Sequence, residues 1–254
     1  DETARLYDFT KALDPYRFVG LTDDSVFEND HYSELKADYY SENRYHGWYY
    51  NYGRFEIMSV AMKKINDKMG ITNLAEYGPG VNPFCHTWKN EDIKRDKTDS
   101  LHFEEYGNRF HESHAAQIAV SPYLNFTSLW VLFDFPVAER EEGIVDSDNG
   151  VDFVVNPERK YLNDKGIVTR DRKLFKDVFY LYKSWWNKDV ETVYITARRL
   201  KYRPADQEFV MTVYSNAPSL KIFCNGTQAA EASKTDEPTG VVWTFNVKMG
   251  SGPT

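Results

Sequence analysis

A lone glutamate, Glu76, ends a short apolar run in the stretch NLAEYGPGVNPFCH, residues 73–86. Aromatic, glycine and proline residues follow it at once. A carboxylate at the end of a buried strand is held rigidly and meets only a pocket, as catalysis by a nucleophile requires. The competing interpretation is a glutamate paired with a neighbouring arginine, and spacing alone does not exclude it.

The elements that would position Glu76 alternate between helix and strand. Apolar residues at helical spacing predict four helices, over residues 3–13, 58–69, 103–118 and 174–185. Short apolar runs predict four buried strands, at 18–22, within 37–45, at 73–76 and at 128–135. Strands that alternate with helices indicate a parallel α/β fold.

Four strands are half of what a closed (β/α)8 barrel of about 250 residues needs. We therefore predict that residues 1–188 form the C-terminal half of such a TIM barrel, in a sequence that starts in mid-barrel. Closely spaced strand patterns then predict a small immunoglobulin-like β-sandwich over residues 189–254. Its ending, KMGSGPT, is read as truncated before a final strand. The predicted fold class is thus α/β followed by all-β.

Composition narrows the classes of partner. The net charge of −8 argues against nucleic acid, which would require a basic face. No apolar run is long enough to span a membrane. Aromatic residues make up 16% of the chain, which suits stacking against flat ligands as well as core packing. Cys85 and Cys224 are read as free thiols in different domains.

Four stretches together resemble the catalytic barrel of glycoside hydrolase family 2, to which β-galactosidases and β-glucuronidases belong. They are NRYHGWYY (43–50), AEYGPG (75–80), LWVLFDF (129–135) and NDKGIVTRDRKLFKDVFYLYKSWWN (163–187). They occur in the family's order, and the resemblance covers essentially the whole chain. It implies a retaining exo-β-glycosidase, and it requires no cofactor or metal.

The resemblance also implies roles for individual residues. Glu76 matches the family's nucleophile, which forms a covalent glycosyl intermediate. Tyr45 matches a tyrosine that orients this nucleophile, and Asn43 and Tyr49 line the same pocket wall. Trp130 matches a platform under the sugar, followed by a non-proline cis peptide bond.

The second carboxylate of the reaction is not matched. In the family it is the glutamate of an Asn-Glu pair at the end of an earlier strand, and no such pair precedes Glu76. We expect this general acid/base to lie upstream of residue 1. The loss of an acid/base costs roughly 10²–10⁴-fold in rate. The chain alone is therefore predicted to be inactive or nearly so.

Three further residues concern the substrate. Asn163 and Lys165 match an Asn-x-Lys pattern that grips the sugar carboxylate in β-glucuronidases, while the same stretch also resembles galactosidase-like members. A structural salt bridge is an equal alternative for Lys165. We favour a β-galactosidase-like enzyme, with a β-glucuronidase as the alternative. His86, in the loop after Glu76, is a candidate contact for a sugar hydroxyl.

Two other classes remain open. The chain could be a carbohydrate-binding or interaction module without catalysis. A metal site of His111 and His114 with Glu104 and Glu112 is disfavoured, because the stretch lacks the HExxH pattern. The expected partners are a carbohydrate substrate and, because a half-barrel leaves open edges, a second copy of the chain. The resemblance suggests a bacterial periplasmic or secreted protein.

Overall fold

The computed structural model describes residues 2–24, 35–70, 72–89, 101–140, 142–146, 154–201, 203–233 and 235–248. The chain divides into two compact units. The first comprises Asp1–Gly78 and Gln117–Val131, and the second comprises Pro79–Ala116 and Leu132–Thr254. This division differs from the boundary predicted at residue 188. Among the described residues, no helix combines the length and the apolarity of a membrane span.

The first unit is built on a four-stranded parallel sheet with the strand order β1-β2-β3-β4. The parallel α/β pattern expected for this part of the chain is therefore confirmed. Its elements are α1 (Glu2–Leu13), β1 (Gly20–Asp23), β2 (Tyr39–Asn43), α2 (Ile57–Met69), β3 (Thr72–Glu76) and β4 (Leu124–Thr127).

Helix α2 shows why the crossover between β2 and β3 is helical. Met58, Met62 and Ile65 recur at helical spacing and are all buried. The helix ends at Gly70, whose φ of 85° suits a residue without a Cβ atom. The Gln117 side chain accepts a hydrogen bond from the Ser59 N–H, an orphan donor of the first turn (2.9 Å).

The fourth strand lies earlier than the apolar run at 128–135 predicts. β4 is the less apolar segment Leu124–Thr127, and the Ser128 N–H still bonds to the Leu74 carbonyl (2.9 Å). The following residues leave the sheet as an irregular segment, in which the Trp130 N–H bonds to the Tyr77 carbonyl (2.9 Å). The prediction was wrong because the position of a strand depends on backbone pairing, which the apolarity of a run does not display.

The second unit contains α3 (Glu104–Ala119, of which residues 104–116 belong here) and α4 (Asp177–Trp186). Its short strands are β5 (Phe135–Pro136), β6 (Val145–Asp146), β7 (Val154–Val155) and β8 (Leu162–Asn163), with a 3₁₀ helix at Pro157–Tyr161. Its longer strands are β9 (Val193–Ile195), β10 (Glu208–Ser215), β11 (Leu220–Cys224), β12 (Thr227–Ala232) and β13 (Val242–Lys248).

The C-terminal strands form an antiparallel three-stranded sheet, β13-β10-β9, and a β11-β12 hairpin. The hairpin turns at Asn225-Gly226, where both residues have positive φ, as a two-residue turn requires. A core of Val213, Trp243 and Phe245 lies beneath the strands. The immunoglobulin-like sandwich remains a prediction, and residues 249–254, read as a truncated end, lie outside the described residues.

Within the second unit, one core cluster joins the helices to the β-structure. Leu181 on α4, Ala115 on α3 and Tyr214 on β10 are each fully buried in it. Cys85 and Cys224, both free, also fall within the residues of this unit. The prediction that they lie in different domains is therefore not supported by this division.

A fully buried lysine fixes the loops of the second unit. Lys176 Nζ donates to the carbonyl oxygens of Val81 (2.6 Å) and Asp164 (2.8 Å) and to Asp134 Oδ1 (2.8 Å). Burial raises the pKa of Asp134 to about 6, although Lys176 opposes this rise. One ammonium group thus binds three segments that are distant in sequence.

We expect Lys176→Met to destabilise the second unit by about 3–5 kcal/mol, because it leaves Asp134 buried without its counter-charge. Urea unfolding followed by circular dichroism measures the change. Lys173→Met, at an exposed position three residues earlier, is the control and should change stability by less than about 0.5 kcal/mol. Equal stability of the two variants would contradict the assigned role of Lys176.

Candidate functional site

Glu76 and Tyr45 form the centre of the candidate site. Glu76 is the last residue of β3, and Tyr45 follows the end of β2. The Tyr45 hydroxyl donates a hydrogen bond to Glu76 Oε2 at 2.7 Å. Because β2 and β3 are parallel neighbours, their carboxyl ends lie at the same edge of the sheet, and the two side chains meet there.

The Tyr45 hydroxyl stays protonated in this environment. Burial, and then the hydrogen bond to the Glu76 carboxylate, raise the pKa of Tyr45 far above its ordinary value. An ionised carboxylate only accepts hydrogen bonds, so the Tyr45 hydroxyl is the donor in this contact. Tyr45 thus fixes Oε2 of Glu76 and leaves Oε1 for another partner.

The backbone of β2 holds Glu76 from the same side. Asn43 is the register partner of Glu76, and the Arg44 N–H donates to the Glu76 carbonyl at 2.8 Å. The Asn43 Oδ1 atom is buried and has no hydrogen-bond partner among the described residues. An amide oxygen in that state is available to a ligand donor.

Aromatic side chains surround this edge of the sheet. The Tyr49 side chain is 48% exposed, and its ring packs edge-on against the Tyr45 ring with centroids 5.1 Å apart. The half-buried Trp130 is held through its backbone N–H by the Tyr77 carbonyl, one residue after Glu76. The Trp130–Val131 peptide bond is cis, which confirms that expectation. Tyr49 and Trp130 thus follow the carboxyl ends of β2 and β4.

The remaining predicted site residues belong to the second unit. Asn163 and Lys165 are 6% and 3% exposed, and Asn163 Oδ1 accepts a hydrogen bond from the Lys165 N–H (3.1 Å). This bond fixes the Asn163 side chain against the backbone of the residue two positions later. The Asn163 side chain is therefore preorganised.

Asp164, between them, belongs to a buried charged cluster. His102 Nδ1 lies 2.9 Å from both Asp164 oxygens, and Arg159 Nη2 lies 3.1 Å from Oδ2. Burial alone raises the pKa of Asp164, but His102 and Arg159 outweigh burial and hold this pKa well below its usual range. A Cβ atom at Gly80 would lie 2.3 Å from His102 Nδ1, so the loop can pass there only as glycine.

His86 is 1% exposed, and both of its ring nitrogens are engaged. Nδ1 lies 2.9 Å from Glu105 Oε1, and Nε2 lies 3.0 Å from the Pro83 carbonyl. Burial lowers the pKa of His86, but Glu105 and Glu104 outweigh burial and raise this pKa to about 9. A cationic His86 donates both protons internally and has none left for a sugar hydroxyl, so this arrangement speaks against the predicted contact.

A second buried network was not foreseen from the sequence. Arg199 Nη2 meets Asp177 Oδ1 at 2.9 Å and also contacts Glu104, which is fully buried on α3. The Tyr194 hydroxyl donates to Asp177 Oδ1 at 2.6 Å. Charged residues inside apolar helix patterns were the available signal, but they do not reveal which residues pair.

The disfavoured metal site is not formed in the part of the chain that the structure describes, where no three His, Cys, Asp or Glu side chains are grouped for an ion. His111 Nδ1 lies 2.9 Å from the Tyr182 hydroxyl. Burial lowers the pKa of His111 well below its usual value, so its ring is neutral.

No protein-family model matches the chain. A β-glucuronidase from Bacteroides fragilis is 32% identical over 218 residues, which cover 83% of this chain and 28% of that protein. The crystal structure of an FMN-binding β-glucuronidase from Faecalibacterium prausnitzii superposes with a TM-score of 0.78 at 29% identity, over 98% of this chain and 34% of that one.

A solved structure from Bacteroides fragilis, provisionally named a β-galactosidase, gives a TM-score of 0.76 at 26% identity, over 98% of this chain and 34% of that one. The homologues of this chain are thus β-glucuronidase- and β-galactosidase-like glycoside hydrolases. The chain spans about a third of their length.

The raised pKa of His86 predicts a pH effect on stability. Folding shifts this pKa from about 6.5 to about 9, so the stabilisation is complete below pH 6.5 and is lost as the pH rises through 9. We expect up to about 3 kcal/mol of this loss to disappear in His86→Gln. Urea unfolding of both proteins at pH 7 and pH 9.5 measures it, and parallel losses in the two proteins would contradict the prediction.

Proposed function

We propose that this chain is part of a retaining exo-β-glycosidase in which Glu76 is the nucleophile. The observation that carries the proposal is the 2.7 Å hydrogen bond from Tyr45 to Glu76 Oε2, at the carboxyl ends of adjacent parallel strands. The glycoside hydrolase homologues support the reaction class. The whole enzyme's activity belongs to this proposal, since the chain spans about a third of those proteins.

In the proposed reaction, Glu76 Oε1 attacks the anomeric carbon while Tyr45 holds Oε2. The bond to the leaving oxygen breaks, a second carboxyl group about 5–5.5 Å away gives its proton to that oxygen and becomes a carboxylate, and a covalent glycosyl ester forms. Water then hydrolyses the ester with the second carboxylate as base. We assign Trp130 to the sugar platform, and Asn43 and Tyr49 to the pocket wall.

We place the second carboxylate outside these 254 residues. By resemblance it is the glutamate of an Asn-Glu pair on an earlier strand, and no Asn-Glu pair precedes Glu76 in the sequence. The chain by itself would then carry the nucleophile but not its acid/base partner.

We propose a β-glucuronide as the substrate, with Asn163 and Lys165 binding the sugar carboxylate. The Asn-x-Lys pattern of residues 163–165, which in β-glucuronidases grips the sugar carboxylate, supports this assignment by resemblance, and the Lys165 N–H holds the Asn163 side chain in place. The named activity of the 32% identical relative agrees with it. A β-galactoside, favoured in the sequence analysis, is the second candidate and is supported by the Bacteroides fragilis structure with the TM-score of 0.76.

Covalent labelling tests the nucleophile. We expect a 2-fluoro-glucuronyl inhibitor to add one sugar at Glu76 in the longest polypeptide encoded by the reading frame, and not in the 254-residue chain alone. Intact mass spectrometry with peptide mapping measures the label, and Glu76→Gln is the control.

Each other outcome has a distinct meaning. If only the galactosyl analogue labels Glu76, the substrate is a β-galactoside and not a β-glucuronide. If neither sugar analogue labels Glu76, the proposed enzymatic function is wrong, and the chain is better explained as a carbohydrate-binding or interaction module.

Lys165→Met tests the assigned carboxylate contact. In the longest polypeptide encoded by the reading frame, without inhibitor, we expect kcat/KM on an aryl β-glucuronide to fall roughly 10- to 100-fold, because a charged hydrogen bond is lost. Turnover of the matching β-galactoside should change by much less. Lys160→Met, which removes a lysine paired with Glu139 in the same unit, is the control. Equal losses on both sugars would leave Lys165 with a structural role.

We also propose that the isolated chain self-associates through α1. Leu6, Phe9 and Leu13 recur on one face of this helix and are 50%, 59% and 73% exposed. Substituting glutamine at all three positions should shift the mass measured by light scattering toward the monomer. A monomeric unmodified chain at high concentration would contradict the proposal.

A further inference from the structure

A buried charged pair at the end of β2 has no place in the reaction above. The Glu42 side chain is fully buried, and its Oε2 lies 2.8 Å from Arg44 Nη2. Glu42 Oε1 has no hydrogen-bond partner among the described residues, and neither does Arg44 Nε. A buried carboxylate with so little compensation is costly to the fold, so its retention calls for an explanation.

The pair lies where the strand pairing is irregular. Glu42 faces Leu74, whereas the next residue, Asn43, faces Glu76. One step along β2 therefore corresponds to two steps along β3, and Ala75 is the extra residue. Such a bulge re-aims the side chain that follows it, and here that side chain is Glu76.

The residues after Glu42 contact Glu76 in two ways. The Arg44 N–H binds the Glu76 carbonyl at 2.8 Å, and the Tyr45 hydroxyl binds its carboxylate at 2.7 Å. The Arg44 side chain is thus anchored to Glu42 while its own backbone is bonded to Glu76. Any movement of Arg44 is transmitted to both contacts.

We propose that the Glu42–Arg44 ion pair is a clamp that positions Glu76, by fixing the backbone of residues 43–45 against the end of β3. The geometric part of this inference stands on the contacts alone, and its catalytic meaning rests on the proposed role of Glu76. Glu42 is thus a positioning residue, because it acts through Arg44 and Tyr45.

The surroundings of Glu42 make the clamp sensitive to pH. Burial, followed by repulsion from Asp23 and Asp24 at the end of β1, raises the pKa of Glu42 to about 7, although Arg44 opposes this rise. On β3, the residue opposite Glu42 is the uncharged Leu74. The ionised Glu42 holds Arg44 above pH 7, and the protonated form releases it below.

Stability changes in the opposite direction. The folded state keeps the Glu42 proton more tightly than the unfolded chain, so the contribution of this group to stability falls as the pH rises from about 4.5 to about 7. Over the same pH interval Glu42 becomes ionised and its attraction for Arg44 increases. A role in positioning is therefore distinguishable from a role in stability.

Hydrogen exchange at the Arg44 amide tests the clamp on the 254-residue chain. With intrinsic exchange rates corrected for pH, we expect protection of this amide to be roughly tenfold greater at pH 8 than at pH 6, the ratio expected for losing one hydrogen bond. Glu42→Gln should show the low protection at both pH values, with stability at pH 8 unchanged or increased. Glu42→Asp should restore part of the protection.

Asp38→Asn is the matched control. Asp38 adjoins the opposite end of β2, where it pairs with Lys11 at 2.7 Å and accepts the Val19 N–H. This variant removes an ion pair beside the same strand without touching Glu76, so its Arg44 amide should exchange as in the unmodified chain.

Full protection of the Arg44 amide in Glu42→Gln, or pH-independent protection in the unmodified chain, would overturn the clamp. If the Arg44 amide loses as much protection in Asp38→Asn as in Glu42→Gln, the effect is a general loosening of β2 and not the loss of a specific clamp. Arg44→Lys, which keeps the charge, replaces Glu42→Gln if that variant does not fold. Hydrogen exchange requires no catalytic turnover, so the two experiments are independent. If the clamp is refuted, the labelling of Glu76 still tests the proposed function, and if Glu76 is not labelled, the exchange result still tests the clamp.

Discussion

The parallel pairing of β2 with β3 is the constraint on which the candidate site depends. Side chains alternate between the two faces of a strand, so a slip of one residue would turn Glu76 to the opposite face. The extra residue Ala75 adjusts this register immediately before Glu76. Two hydrogen bonds from the residues after β2 then hold the backbone and the carboxylate of Glu76. The geometry of the nucleophile is therefore a property of two strands.

In the first unit paired strands hold the chain segments together, whereas in the second unit buried ion pairs hold the loops in place. Lys176 gathers three segments, Asp164 is held by His102 and Arg159, and Arg199 joins Glu104 to Asp177. Such groups are tolerated inside a protein only when they are paired. Each network therefore admits few alternative arrangements of the loops that contain it. The short strands of this unit could not provide such specificity alone.

Much of the secondary structure could be predicted because it is written in local patterns. The periodic apolar residues of α2 and the Asn225-Gly226 turn of the last hairpin act over a few residues. The position of β4 could not be predicted, because the more apolar neighbouring run has the stronger local signal. Backbone pairing with β3, about 50 residues away along the chain, decided it.

By itself, the sequence determined the kinds of residue available, Glu76 above all, and through its motifs the resemblance to glycosidases. The tertiary structure alone decided which of them meet. His102 finds Asp164 across 62 positions, and Tyr45 finds Glu76 across 31. It also enclosed His86 between two glutamates, away from the role suggested by its loop. The reason is physical: periodicity reflects contacts within a turn or a strand, whereas burial and charge pairing depend on segments that only folding brings together.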